Sequence, residues 1–192
     1  MRLVRHADLV PQPWKNGGGT TREVCAFPTG ATLDGFDWRL SMATVAEDGP
    51  FSAFPGIDRV LMVLAGGGLD LNLPEGDHRL MPGQMLSFAG EMPVQASLPA
   101  GPIEDLNLMV RRDRFSGRME RHRLAGGGTL APDGDVRAVV VQDGAVQSAA
   151  GLLGPGDTLL IGTDTAVRLA AKAEAALILI SLTTPKGESS ML

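Results

Sequence analysis

Two stretches of this chain repeat one another, and that repeat limits the folds open to it. Leu80-Met81-Pro82-Gly83-Gln84-Met85-Leu86 matches Leu153-Gly154-Pro155-Gly156-Asp157-Thr158-Leu159, and the same offset pairs Phe88 with Ile161, Val94 with Val167 and Leu106 with Leu179. A Pro-Gly turn feeding an apolar strand, met twice, points to two copies of one β unit. The copies part company at one place. Asp105 pairs with Ile178 and Asn107 with Ile180, so the first copy holds polar residues where the second holds aliphatic ones. One functional site in the first half and a structural support in the second is the expectation.

The rest of the chain reads as short strands, with no sustained helical period. Strands are predicted over 38–45, 59–64, 69–73, 84–88, 94–98 and 105–111, and again over 136–142, 158–162, 166–169 and 176–182. Turn clusters separate them, among them Glu47-Asp48-Gly49-Pro50, Pro74-Glu75-Gly76-Asp77 and Pro132-Asp133-Gly134-Asp135. An all-β sandwich or barrel follows. A break near 112–128, containing Gly126-Gly127-Gly128, divides the chain into a pocket-bearing barrel (1–112) and a degenerate, structural one (113–184), with 185–192 as a flexible tail.

Composition removes several function classes. Aromatic residues make up 4% of the chain and Tyr is absent, which leaves few stacking platforms for single-stranded nucleic acid. The net charge of −5 repels phosphate backbones. The local exception is 111–123, with six Arg against two acids; it reads as a solvated connector, some of its Arg paired to acidic neighbours. Cys25 is the single cysteine, so no intramolecular disulfide forms, and it reads as a small core residue. The start lacks the apolar run of a signal peptide and no stretch matches a membrane span, so a cytoplasmic protein without nucleic-acid or membrane partners is expected.

Alternation then picks out candidate site residues. Arg39 and Ser41 share one face of their strand; Asp105, Asn107 and Arg111 share one face of theirs; Thr21, Glu23 and Cys25 oppose Arg22 and Val24. A sheet with one wet face shows the same pattern. An Arg and an Asp inside a barrel, however, are costly unless paired or liganded, and the second copy dispenses with polarity there. Guanidinium, hydroxyl, carboxamide and carboxylate together suit a small zwitterionic or multiply carboxylated molecule. His6, His78 and His122 are scattered and do not form a metal-ligand cluster, so neither metal nor cofactor is expected. Lys15 precedes the glycines of Trp14-Lys15-Asn16-Gly17-Gly18-Gly19, which excludes a Walker A loop; the glycines let the backbone pass close to a ligand or another strand.

That opening segment, extended through Thr20-Thr21-Arg22-Glu23, closely resembles the HutD/Ves family. So do Phe36–Ala43, Asp48-Gly49-Pro50-Phe51-Ser52, Phe54–Arg59 and Gly101–Met109, and the likeness runs from about residue 3 to 112. The resemblance implies two stacked cupin-like barrels, a bicupin. It also implies binding of a small metabolite of histidine degradation, such as formylglutamate, formiminoglutamate or urocanate, to regulate histidine utilisation or a stress response. Resemblance and alternation together assign Arg39, with Lys15 or Arg22, to ligand carboxylates, and Asp105 with Asn107 to an amide or formimino end. Ser41 and Asn16 supply orienting bonds, Trp14 or Phe51 walls off water, and Asp58-Arg59 makes an ion pair at strand entry. The reading favours binding over catalysis. The alternative is a hydrolase or isomerase using Glu23 or Asp105 as base, and a homodimer is compatible with either.

Overall fold

The computed structural model describes residues 1–131, 135–162, 165 and 167–184; the expected tail, part of the 132–135 turn and the start of the 166–169 strand lie outside them. The chain is all-β apart from a short 3-10 turn at His6–Asp8. None of the described helices is long and apolar enough to cross a membrane. Two compact units emerge, one spanning Val10–Gly117 and the other combining Met1–Leu9 with Arg118–Thr183.

In the Val10–Gly117 unit, a six-stranded antiparallel sheet runs in the order Gln12–Pro13, Gly19–Phe27, Trp38–Val45, Ile103–Arg111, Ile57–Gly66, Met85–Ala89. A four-stranded sheet, Gly49–Pro50, Gln95–Ser97, Leu69–Leu73, Gly76–Leu80, faces it. The two meet through one apolar cluster that includes Val45, Leu61, Val63 and Ile103 from the first and Leu69, Leu71 and Ala96 from the second. Cross-strand register shows what shares this inward face. Asn107 lies between Ser41 and Leu61, Asp105 between Ala43 and Val63, and Met109 between Arg39 and Arg59. Leu40, Leu106, Leu108 and Met62, on the opposite face, are fully buried as well. The polar alternation therefore does not mark a wet face: Ser41, Asp105 and Asn107 are 2, 3 and 9% exposed on the inward side.

The second unit holds a five-stranded sheet, Arg2–Val4, Thr158–Leu160, Val136–Asp143, Ala175–Thr183, Ser116–Leu124, and a four-stranded one of short segments. Val139, Val141, Leu159 and Leu177 pack there against Val146, Leu153 and Leu169. Two expectations are corrected. Residues 1–9, assigned by sequence to the first barrel, belong here, because Arg2–Val4 pairs antiparallel with Thr158–Leu160. Asp157 secures that arrival, accepting bonds from Arg5 Nη1 at 2.6 Å, the His6 amide at 3.0 Å and the Gly154 amide at 3.1 Å. The Arg-rich 111–123 segment is likewise no connector from 116 onward. Ser116–Leu124 is a strand whose Met119 and Leu124 are buried while Arg118 and Glu120 stay outside; with its two apolar anchors five residues apart among charges, it offered no alternation to read. Its arginines are paired as expected, for example Arg112 with Asp58 and Glu91, and Arg123 with Glu174.

The repeat itself is off by one residue at its last strand. Gly66, at φ +103°, approaches Ile103 so closely that an added Cβ would lie 2.8 Å from its Cα; Gly144, at φ +77°, stands in the same relation to Ala175 at 2.9 Å. Val63 opposite Asp105 then corresponds to Val141 opposite Leu177, and Leu61 opposite Asn107 to Val139 opposite Leu179. The counterparts of Asp105 and Asn107 are therefore Leu177 and Leu179. Ile178 and Ile180 sit on the other face, as a one-residue slip requires.

Candidate functional site

Three of the four side-chain polar atoms found buried without a hydrogen-bond partner among the described residues belong to one inward face: Arg59 Nε, Asp105 Oδ1 and Asn107 Oδ1. Such atoms each cost about 1–3 kcal/mol and are rare in native interiors, so their gathering on one face is a signature of a site. The fourth, Thr158 Oγ1, lies in the other unit.

Arg59 is the deepest cation among the described residues, at 6% exposure. Its Cζ lies 5.2 Å from the Phe51 ring centre, 5.9 Å from Phe54 and 5.0 Å from Phe88. Phe88 comes from the neighbouring strand, paired opposite Arg59. The strap carrying the other two rings is tied down by Phe51 N donating to Val94 O at 2.9 Å and Phe54 N donating to Gly90 O at 2.8 Å. Three aromatic faces hold the guanidinium in place without satisfying its Nε–H. Burial pushes the Arg59 pKa down to about 10, opposed by the attraction of Asp105 and reinforced by the repulsion of Arg39. Burial likewise pushes the Asp105 carboxyl up to about 7, against the pull of Arg59.

Arg39 borders the same face nearer to solvent, its side chain 12% exposed. Its Nε donates to Glu23 Oε2 at 2.8 Å and its Nη1 to Ser41 Oγ at 3.3 Å. Glu23 and Ser41 thus aim Arg39, and Glu23 is committed to it. Two guanidiniums against one ionised Glu23 and a carboxyl that is easily protonated leave a positive interior, which favours an anion. The same donor set does not fit a divalent metal ion. Among the described residues no three His, Cys, Asp or Glu side chains are grouped to hold one.

The remaining predicted residues divide. Trp14, Asn16 and Phe51 line a separate depression of about 210 Å³, whose rim also holds Glu47 and Asp48. Those carboxylates repel an anion, so the interior cluster is the better site. Phe51 belongs to both. Trp14 packs on Gly19, where an added Cβ would stand 2.4 Å from Thr44 O and 3.1 Å from the indole, so the glycine serves strand contact. The Trp14 Nε1 donates to Thr21 Oγ1 at 2.7 Å, and Asn16 Oδ1 accepts from the Gly18 amide at 3.2 Å, closing its own turn. Lys15 is exposed on that turn and does not join the cluster.

Arg22 pairs in register with Met42 and so faces away from Glu23 and Ser41, which removes it from carboxylate binding. A bulge between Glu23 and Cys25 moves Cys25 off the Thr21 and Glu23 face into register with Leu40. Arg111 turns to the Phe36 carbonyl and Asp37. The expected Asp58-Arg59 ion pair is absent: Asp58 accepts from Arg112 at 2.7 Å, and adjacent residues on a strand point to opposite faces. Arg59 is the residue of this candidate site that sequence reading gave to an ion pair instead of to ligand binding. Its signal was there in Arg59, Leu61 and Val63, spaced by two like the rest of the inward face.

With this geometry in hand, comparison with known proteins gives a clear answer. The HutD family model matches residues 6–179. The chain belongs to the HutD family. An uncharacterized 21.2 kDa protein in the hutC 3′ region of Pseudomonas putida is 40% identical over 121 residues, 62% of this chain and 63% of that one. Protein Ves of Citrobacter koseri is 45% identical over 108 residues, 55% of this chain and 56% of its own. The matches thus span about three-fifths of these curated relatives. Among solved structures, HutD from Pseudomonas fluorescens SBW25 aligns with a TM-score of 0.79 at 32% identity, covering 96% of this chain and 98% of that one. A conserved protein of unknown function from Pseudomonas aeruginosa PAO1 reaches 0.83 at 32% identity, covering 94 and 97%. A cupin barrel protein from Leptotrichia buccalis, 11% identical with a TM-score of 0.65 over 95% of this chain and 96% of that one, places this HutD-family chain in the cupin-like fold.

Proposed function

We propose that the Val10–Gly117 unit binds a small carboxylate-bearing metabolite without a metal ion, and that this binding adjusts histidine utilisation or a stress response. The buried, ring-caged Arg59 with a free Nε, on one face with two acceptors that lack donors, carries the reading. A ligand carboxylate accepts from Arg59 and Arg39 while a ligand N–H donates to Asn107 Oδ1, beside Asp105. Formylglutamate, formiminoglutamate and urocanate each carry both groups. HutD family membership and the hutC-region relative support the link to histidine utilisation.

Thermal unfolding with each compound tests the reading. At about 100 times its dissociation constant the true ligand stabilises by about 2.7 kcal/mol, a shift on the order of 5–10 °C for a chain this size. Arg59→Ala abolishes that shift. No shift from any of the three overturns the reading. One observation favours an enzyme as second reading: Asp105, pushed to about 7, is poised as a general base. Product formation by the parent protein that Asp105→Asn eliminates would select it.

A further inference from the structure

We propose that loading the site is coupled to a proton: Asp105 takes one up as a ligand carboxylate seats on Arg59. The inference rests on the ligand reading above and concerns how that site is regulated. Its basis is geometric. Asp105 is 3% exposed, its Oδ1 lacks a donor, and Asn107 Oδ1, two residues along on the same face, lacks one too. A proton on Asp105 turns one of two stranded acceptors into a donor. What favours the ionised form is the charge of Arg59. A ligand carboxylate that engages this guanidinium weakens that support and adds a like charge nearby, and both effects drive Asp105 toward its neutral form.

The surroundings limit the alternatives. The Ile57–Gly66 strand contributes Arg59 to this face, Trp38–Val45 contributes Arg39 and Ser41, and Gly19–Phe27 contributes Glu23. Met85–Ala89 contributes Phe88, and the strap presents Phe51 and Phe54. On the facing sheet, His78 lies opposite the inward-facing Leu71 and so points to the same side. His78 is the imidazole on this side, and experiment must separate it from Asp105.

The sign follows from a carboxyl that burial pushes up to about 7 in the free protein and that the charge of a seated ligand would push up further. Below about 7 Asp105 is already protonated and affinity is flat. Above it, affinity falls as the proton must be recovered, by about tenfold between pH 6 and pH 8. Formylglutamate suits the test because its carboxylates do not titrate in this range. Calorimetric titration of the whole chain at pH 7.5, in two buffers of different ionisation enthalpy, should return uptake of about 0.7 proton per site. In Asp105→Asn both the uptake and the pH dependence vanish, and in His78→Gln both persist. Binding without uptake by the parent protein overturns the coupling while leaving the ligand reading standing. Uptake that survives Asp105→Asn, or is lost in His78→Gln, overturns it as well. Absence of binding by formylglutamate, formiminoglutamate and urocanate at every pH removes both.

Discussion

The two units present the same inward face in two versions. Beside Val63 and Leu61 stand Asp105 and Asn107; beside Val141 and Val139 stand Leu177 and Leu179. A Leu fully buried from water stabilises by roughly 1.5–3 kcal/mol, whereas each buried polar atom without a partner costs about 1–3. Leu177 is fully buried and Leu179 partly so, and the exchange favours the apolar face by about a few kcal/mol. The scaffold is satisfied by Leu, so the polar set answers a need other than folding. Both versions keep the glycine bulge beside the strand, Gly66 in one and Gly144 in the other. The difference is in side chains, not in backbone design.

Several substitutions would break or sharpen this comparison. The largest effect should come from writing the polar face into the apolar unit. Leu177 is fully buried, so Leu177→Asp strands a charge there and should cost at least about 4 kcal/mol in urea unfolding. Next, Arg59→Ala should weaken ligand binding about a hundredfold, close to 3 kcal/mol, because it removes a desolvated guanidinium; calorimetry reads this directly. A third test concerns Asp105, whose folded pKa of about 7 lies above its unfolded value near 4. The stability it allows is fully present below about pH 4 and is lost as pH rises toward 7. Asp105→Asn should therefore raise the melting temperature by on the order of 5 °C at pH 8, with the gain shrinking toward pH 5. Gly19→Ala should cost about 1–3 kcal/mol, since its Cβ would crowd Thr44 O and the Trp14 ring. The smallest effect belongs to Arg22→Ala, which should leave affinity within about twofold because Arg22 faces the other way.

Much of this fold was legible because turns and alternation are local. The 38–45 and 69–73 strands coincide with Trp38–Val45 and Leu69–Leu73, and the polar parity of Ser41, Asp105 and Asn107 was readable from period two alone. Bulges were not. The extra residue near Glu23 turned Cys25 to the other face, and a shift near Gly144 displaced the repeat so that Ile178 stood in for Leu177. Neither leaves a mark in composition. Arg59 was hidden differently: next to Asp58 it looked like half of an ion pair, although neighbours on a strand cannot meet across it. Arg112, distant in sequence, is the true partner of Asp58, and long-range pairing of that kind is set only by the assembled sheet.

The division into units has an optical consequence. Both tryptophans, Trp14 and Trp38, lie within Val10–Gly117, and the chain contains no Tyr. Intrinsic fluorescence excited at the red edge therefore reports the Val10–Gly117 unit alone, while the Leu177 unit is dark and seen only by far-ultraviolet dichroism. Following one denaturation by both signals separates the two units in a single intact chain, with no label and no truncation.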